Sequence, residues 1–437
     1  MKALIVALAV LTAPTDSLPD LSHPWTLAEC TSWALEHNLS LATQELNEEY
    51  SRIEKNTADM SWLPGVSGSV SQNWSFGRGI GGNNTYESGN SASTGFSVGA
   101  NMTLFDGLAT PRRMQLAKLN LEAATADLEK ARNDIRVQVA QAYVQVLYNY
   151  EIADVAREQL AIDSLQVARL EGLYEAGRSS AAELSQQKAT FAQSQVTLVE
   201  AESNVRTSLL TLAQLLEVAP WESFSIVRPE VSLDDIYIAD PDVVYADAID
   251  IRPEIQAEKL RLDGALKQVQ IAQASYYPSL SLSAGLGTNY YSSFGTQGFW
   301  DQLSNNFSQY VGLSLNIPIF NRFSTRNQVR SARLQQSAQE VQMKIAGNTL
   351  YKEIQQAWNS AVAARAKWES SQTAADAARD AFQLTQSKYE NGKATITEFN
   401  EARARYIKAQ SDSVQATYQY LYQARLVDFY RGGQLVL

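Results

Sequence analysis

A long internal repeat limits the folds open to this chain more than any other feature of its sequence. Residues 174–178 read YEAGR and residues 389–393 read YENGK, at an offset of about 215 residues. Three further pairs of segments share this offset: 104–106 with 319–321, 141–143 with 356–358, and 183–184 with 398–399. Such a period is far longer than those of solenoid repeats. The sequence therefore predicts two structurally similar halves, 25–220 and 241–433, joined by a connector at 221–240.

Each half has the same predicted order of elements: a helix, two strands, a very long helix, a short glycine turn and a second long helix. The first helix begins at Thr26, where Glu29 completes a capping-box pattern, and is predicted to run to Ser61. The long helices are predicted at 108–172, 179–217, 323–388 and 395–430. A helix of about 60 residues would be about 90 Å long, which exceeds the width of a globular core. Taken alone, these helices fit a coiled-coil rod as well as any other structure.

Four segments alternate between apolar residues and small or polar residues. They are predicted to be strands at about 65–76, 94–105, 279–290 and 308–319. In the second segment Phe96, Val98 and Ala100 alternate with Ser97 and Gly99. Such alternation is typical of a sheet with one dry face, or of a membrane barrel with lipid outside and water inside. Strands of about 10 residues suit a tilted membrane crossing.

The segments that join the strands favour the membrane interpretation. The predicted hairpin loops at 77–93 and 292–307 are long, polar and glycine-rich, as the extracellular loops of outer-membrane barrels are. Aromatic residues gather near the loop ends, as in an interfacial belt: Trp74, Phe76, Phe96, Tyr290, Tyr291, Phe299 and Trp300. Packing within the loops is the alternative explanation for these aromatic residues.

Four strands cannot close a barrel in lipid, because both edges would leave backbone N–H and C=O groups without partners. Several chains must therefore share strands, and three chains would supply 12, enough for a solvated interior. Backbone hydrogen bonding does not itself fix the number at three. The predicted fold class is an α+β membrane protein with an internal duplication, in which long helical hairpins form an α-barrel and the strands contribute to a transmembrane β-barrel.

The N-terminal residues predict export. Lys2 precedes an apolar run at 3–11, which is the pattern of a secretory signal peptide, and we place this peptide at 1–15 with cleavage near Ala13. The run is too short to span a bilayer, and the sequence has no later stretch of about 18 apolar residues. A mature chain that enters a membrane would therefore do so as part of a closed β-barrel.

Composition argues against several classes of function. The net charge of -11 disfavours a nucleic-acid-binding surface. A single cysteine and two histidines cannot supply a disulfide or a Cys- or His-based metal site, so we expect no metal and no cofactor. The sequence contains no Walker loop, nucleophile elbow or zinc-protease motif. We therefore expect no catalytic residues and no enzyme.

The glycine turns and the opening segment carry a resemblance to a known family. Residues 174–177 and 389–392 are each followed by a carboxylate, Glu183 or Glu398. They resemble the hairpin tips of the outer-membrane efflux protein family, the TolC-like channel-tunnels. Residues 25–30, with the sequence WTLAEC, look like the opening helix of members from Bacteroidota-type bacteria. The resemblance covers nearly the whole mature chain.

This resemblance implies a homotrimer in the bacterial outer membrane that extends into the periplasm. In the family, three chains form a 12-strand transmembrane β-barrel and a 12-helix tunnel that passively conducts exported substrates. A periplasmic adaptor (membrane fusion) protein and an inner-membrane pump of the RND, ABC or MFS type dock at its inner end. Two alternatives stay open on the residues alone: a periplasmic adaptor, and a coiled-coil structural protein without a pore.

The resemblance also implies roles for the two hairpin tips. Gly177 and Arg178 in the first tip, and Gly392 and Lys393 in the second, would meet the adaptor. The glycines could equally do no more than end helices in the left-handed conformation. Ala394 stands where some relatives carry a gate arginine, so an arginine–carboxylate latch is in doubt unless Lys393 replaces it.

Gate residues are implied next to the second tip. Glu398 and Glu401 fall where the family often places gate carboxylates, and their spacing puts them on one helix face. Three copies would form two stacked acidic rings that attract cations. Tyr389 falls where the family places a tyrosine that latches helix pairs, with Glu183 as its partner. Without the resemblance, the carboxylates are best interpreted as solvated helix-face charges.

Overall fold

The computed structural model describes residues 19–80, 85–229, 233, 237–292 and 298–435. The predicted signal peptide lies outside the described residues, and so does part of the predicted connector. The chain divides into two compact units. A helical unit contains the residues up to Gln44 together with Leu128–Arg252 and Asn348–Leu437, and a sheet unit contains Glu45–Asp127 and Pro253–Gly347.

Most of the described residues lie in α-helices. In chain order these are α1 (Leu27–His37), α2 (Leu39–Asp59), α3 (Ala109–Glu175), α4 (Ala181–Leu215), α5 (Pro241–Ile251), α6 (Pro253–Ala274), α7 (Phe299–Asn305), α8 (Ser324–Glu390) and α9 (Ile396–Tyr430). Within the described ranges, none of these helices has the length and apolar content needed to cross a bilayer.

The long helices have the same lengths in both repeats. α3 and α8 contain 67 residues each, and α4 and α9 contain 35 residues each. All four start and end at the common offset of about 215 residues. Every residue of the first hairpin (α3–α4) therefore has one counterpart in the second hairpin (α8–α9), without insertion or deletion.

The prediction of a single helix at 26–61 is wrong, because the helix is interrupted at Asn38. This residue has an extended backbone, with φ −69° and ψ 124°. Its side-chain oxygen accepts hydrogen bonds from the N–H groups of Ser40 and Leu41, at 2.9 and 3.3 Å, and so caps the start of α2. Its side-chain nitrogen donates to the carbonyl of Leu215 at 2.9 Å. Asn38 therefore joins the start of α2 to the end of α4.

The helical unit has an apolar core around Tyr143, whose ring is buried. The Tyr143 hydroxyl donates to the carbonyl of Val227 at 2.7 Å and lies 3.3 Å from that of Trp25. Buried side chains from α1, α3, α4 and α9 belong to this core, among them Leu27, Ala34, Leu147, Leu212 and Leu421. The core therefore connects the start of the first repeat with the last helix of the second.

The sheet unit contains one antiparallel sheet in the order β1-β2-β3-β4. The strands are β1 (Gly65–Ile80), β2 (Tyr86–Phe105), β3 (Ser279–Ser292) and β4 (Ser308–Asn316). Pairing of β2 with β3 joins the two repeats in one sheet. Within the described residues, β1 and β4 are each paired on one side only, so the sheet has two open edges.

Three predicted connections and strand ends need correction. Most of the predicted loop at 77–93 is strand, because β1 and β2 stay paired out to Ile80 and Tyr86. The glycines and serines there suggested a loop, but an antiparallel ladder continues through small residues. β4 ends at Asn316 instead of 319, because Pro318 has no N–H to donate to a ladder. The predicted loop at 292–307 contains α7.

One face of the sheet is apolar across all four strands. Directly opposed residues share a face, and these apolar pairs are Val70 with Phe96, Val98 with Leu286, and Leu282 with Leu313. The other face carries small and polar residues, such as Ser69 opposite Ser97 and Ser281 opposite Ser314. In one chain the apolar face is uncovered, since Val70 is 71% and Val311 is 77% exposed. An apolar surface of this extent needs lipid or a protein partner.

Asn38→Ala should lower the free energy of unfolding by about 2 kcal/mol, because it removes a helix cap and leaves partly buried backbone groups without their side-chain partner. Asn56→Ala is the matched control, since Asn56 is exposed within α2 and alanine is a better helix former. Thermal unfolding of the purified protein in detergent, followed by circular dichroism, measures both. Equal stability of the two variants would contradict the capping role of Asn38.

Candidate functional site

α3 and α8 are both followed, two residues after their last residue, by a glycine with a left-handed backbone: φ is +71° at Gly177 and +69° at Gly392. The Gly177 N–H donates to the carbonyl of Tyr174 at 2.9 Å, and the Arg178 N–H donates to the carbonyl of Leu173 at 2.7 Å. This pair of hydrogen bonds is a Schellman motif. The second tip repeats both bonds at Gly392 and Lys393. A Cβ at either glycine would meet no other described atom within 4 Å. Glycine is therefore required by the backbone conformation and not by packing.

Each tip is followed by a capping box whose carboxylate is a predicted site residue. Glu398 accepts hydrogen bonds from the N–H and the hydroxyl of Thr395, at 2.7 and 3.0 Å, at the start of α9. Glu183 accepts from the hydroxyl of Ser179 at 2.8 Å and from the N–H of Ser180 at 3.2 Å, at the start of α4. Both carboxylates therefore act first as helix caps.

These hydrogen bonds hold the pKa of each glutamate below its ordinary value. The main cause is the Thr395 N–H for Glu398 and the Ser179 hydroxyl for Glu183. A carboxylate with a lowered pKa in the folded state contributes stability above its unfolded pKa. That contribution is lost as the pH falls through the lowered value, so both caps are complete at neutral pH.

The remaining gate carboxylate, Glu401, lies on the next turn of α9. Its side chain is 63% exposed and pairs with Arg405 at 3.5 Å. Glu398 is exposed on the same helix. The single chain places both carboxylates on an uncovered surface of the second hairpin, and their role in a gate stays a prediction.

The aromatic ring of Tyr389 makes the contacts that fix the position of this side chain. The ring stacks on Phe399 with 5.0 Å between centroids, and the guanidinium of Arg169 lies 5.3 Å from its centre. Burial raises the pKa of the Tyr389 hydroxyl, while Arg169 lowers it and Glu183 raises it further. Among the described residues no hydrogen bond joins Tyr389 to Glu183, so a latch between them stays a prediction. Arg169, on α3, connects Tyr389 to the first hairpin.

A buried ion pair that sequence reasoning missed joins the two hairpins. Asp163 in α3 is fully buried, and it pairs with Arg403 in α9, which is 6% exposed. Gln159 and Gln187 donate to the Asp163 carboxylate at 2.6 and 3.2 Å, and the Ser194 hydroxyl also donates to it. We call these five residues the Asp163 cluster. Its carboxylate has partners on α3, α4 and α9.

The charge balance of the Asp163 cluster explains how a carboxylate can be buried there. Removing an unpaired carboxylate from water costs several kcal/mol, so its burial requires a counter-ion and hydrogen-bond donors. Burial lowers the pKa of Arg403 to about 10, which leaves the guanidinium protonated at neutral pH. As for metals, no group of three or more His, Cys, Asp or Glu side chains in the described part of the chain could hold an ion.

Comparison with known proteins decides the family. The sequence profile of the family described as outer membrane efflux protein matches residues 31–217 and 244–431. These two matches cover most of the chain and follow its two repeats. The chain belongs to the outer membrane efflux protein family.

Individual relatives match this chain over part of their length. Fusaric acid resistance protein FusA of Burkholderia cepacia is 29% identical over 255 residues, which are 57% of this chain and 46% of FusA. Pyoverdine export outer membrane protein OpmQ of Pseudomonas aeruginosa is 27% identical over 333 residues, 74% of this chain and 66% of OpmQ. The matched region thus spans less than half of the first relative and about two thirds of the second.

The fold of this chain agrees with that of a solved outer membrane protein. The crystal structure of VceC from Vibrio cholerae has a TM-score of 0.77 to this chain, at 22% sequence identity. The match covers 94% of this chain and 97% of VceC. This likeness confirms the predicted fold class of long helical hairpins with four antiparallel strands.

Arg403→Met should lower the free energy of unfolding by about 3–5 kcal/mol, because it leaves the Asp163 charge buried without a counter-ion. Lys188→Met is the matched control. Lys188 is the repeat counterpart of Arg403, and its ion pair with Glu171, at 2.8 Å, is exposed. Loss of this exposed pair should cost less than about 1 kcal/mol. Equal losses in thermal unfolding experiments would contradict a buried, charge-balanced cluster.

Proposed function

We propose that three copies of this chain form a passive channel-tunnel in the bacterial outer membrane that extends into the periplasm. The tunnel is the exit duct of a tripartite efflux or type I secretion system. One observation carries the proposal: the four-stranded sheet has an uncovered apolar face and two open edges. In lipid, such edges are stable only when strands of other chains pair with them, and the apolar face then turns outward.

Three chains would contribute 12 strands, which leaves room for a solvated interior lined by the serine and glycine face of the sheet. The helical hairpins of the three chains would continue as a tunnel. The chain would contribute no catalysis and no cofactor, because a passive duct needs only a polar lining and a gate.

The partners of the duct follow from the hairpin tips. Arg178 and Lys393 are exposed beside the glycine turns, where side chains are free to contact another protein. We propose that a periplasmic adaptor binds both tips and couples the duct to an inner-membrane RND, ABC or MFS-type pump. The relatives bear names as different as fusaric acid resistance, pyoverdine export and alkaline protease secretion, so we assign no single substrate.

We propose further that Glu398 and Glu401 form the gate. In a trimer they would make two acidic rings at the inner end of the tunnel, where mutual repulsion of like charges is relieved by bound cations. Tyr389 and Glu183 would act beside the rings, at the contact between the two hairpins.

The trimeric duct is tested by its mass and conductance. Protein extracted from the outer-membrane fraction should have three times the mass of the mature chain by light scattering in detergent. It should also give discrete single-channel currents in planar bilayers. A monomer that stays in the periplasmic fraction and conducts no current would contradict the proposal.

The gate is tested by glutamine substitutions. Glu398→Gln keeps an acceptor for the cap on Thr395 and removes the charge. Glu401→Gln removes the charge that pairs with Arg405 on the next turn. Both should increase conductance and reduce block by multivalent cations, with only a small loss of thermal stability from the weakened cap or the lost ion pair. Glu175→Gln, at the exposed end of α3, is the control. Unchanged conductance and cation block in both variants would remove these residues from the gate.

A further inference from the structure

We infer that the Asp163 cluster fastens the two hairpins of one chain to each other, that the junction between neighbouring chains lacks this fastening, and that the tunnel opens at the junctions between chains. The inference rests on the proposed function, because it needs several chains arranged in a ring. It begins with a difference between the two repeats that the residues show directly.

Four members of the Asp163 cluster have alanine as their counterpart in the other repeat. The polar residues Gln159, Asp163, Gln187 and Ser194 correspond in that order to Ala374, Ala378, Ala402 and Ala409. The assignment is unambiguous because the paired helices have the same length and the same offset. The first hairpin therefore has a buried polar face where the second hairpin has a face of alanines.

The fifth member of the cluster also differs between the two repeats. Arg403 of α9 corresponds to Lys188 of α4. Arg403 is buried against Asp163, whereas the Lys188 side chain is 54% exposed and pairs with Glu171 of its own hairpin. In one chain, the alanine face of the second hairpin is also incompletely covered, with Ala374 exposed and Ala378 half-buried. Both surfaces are therefore available to a neighbouring chain.

Ring closure brings these two surfaces together. Within a chain, the Asp163 face of the first hairpin meets Arg403 of the second hairpin. In a closed ring of duplicated chains, hairpins of the two kinds alternate, and each contact repeats the previous one. The alanine face of the second hairpin must then meet Lys188 of the next chain. One kind of junction holds a buried ion pair, and the other places a lysine beside alanines.

The two kinds of junction differ in the free energy needed to separate their hairpins. Opening the junction within a chain would expose or leave unpaired a carboxylate that has four side-chain partners. Opening the junction between chains separates Lys188 from methyl groups, and Lys188 keeps its partner Glu171. Dilation of the tunnel therefore takes place between chains, while the two hairpins of each chain stay together at the level of the Asp163 cluster.

A disulfide tests the predicted junction between chains. In the double variant Lys188→Cys and Ala378→Cys, mild oxidation should join neighbouring chains into covalent oligomers on denaturing gels, and each single variant should not. The native Cys30 is buried and does not interfere. Oxidation should also lower the single-channel conductance of the double variant, and reduction should restore it. If wild-type channels conduct but no cross-link forms, the inference is overturned and the proposed function stands.

Transplanting the cluster tests the mechanism. Ala374→Gln, Ala378→Asp, Ala402→Gln and Ala409→Ser, combined with Lys188→Arg, would rebuild the buried pair between chains. This graft should raise the temperature at which the oligomer dissociates and lower its open probability several-fold. The control carries Asn instead of Asp at 378. A graft that behaves like its control, or one that fails to assemble when the control assembles, would overturn the inference. If wild-type protein forms no conducting oligomer, the proposed function fails, and this inference fails with it.

Discussion

Backbone hydrogen bonding at the two open edges of the sheet is the constraint on which the rest of the structure depends. β1 and β4 are each paired on one side only within the described residues, and the register turns one continuous apolar face outward from every strand. In water the apolar face of a single chain would be exposed, and in lipid its two open edges would leave backbone groups without partners. Sharing strands among chains satisfies the edges, and lipid covers the apolar face. Membrane insertion and oligomerisation are therefore one requirement.

The internal duplication explains how a short sheet is attached to long hairpins. Each repeat supplies two strands and one hairpin, and the hairpins have identical helix lengths. Duplicated chains can build a ring with twice as many similar units as there are chains. The similarity ends at the Asp163 cluster, where the two hairpins differ in charge and burial. In the proposed ring, this difference would keep the contact within each chain fixed while the contact between chains yields.

Much of the fold was predictable, because alternation along the strands and the shared offset of the repeats are local or periodic signals. The interruption of the helix at Asn38 was not predictable. An asparagine inside an apolar pattern is recognised as the cap of a new helix only once its hydrogen-bond partners are known. The strand residues between 77 and 93 read as a loop because glycine and serine are turn formers. The Asp163 cluster was missed as well, because nothing in the local sequence distinguishes Gln159 and Asp163 of α3 from polar helix residues that face solvent. Comparing them with Ala374 and Ala378 was the available signal.

Amide hydrogen exchange on the assembled protein in detergent tests the pairing of the sheet edges most directly. If chains share strands, the outer amides of β1 and β4 should exchange as slowly as those of the central strands β2 and β3. The account would be contradicted if the outer amides of β1 and β4 exchanged as fast as exposed backbone while β2 and β3 stayed protected.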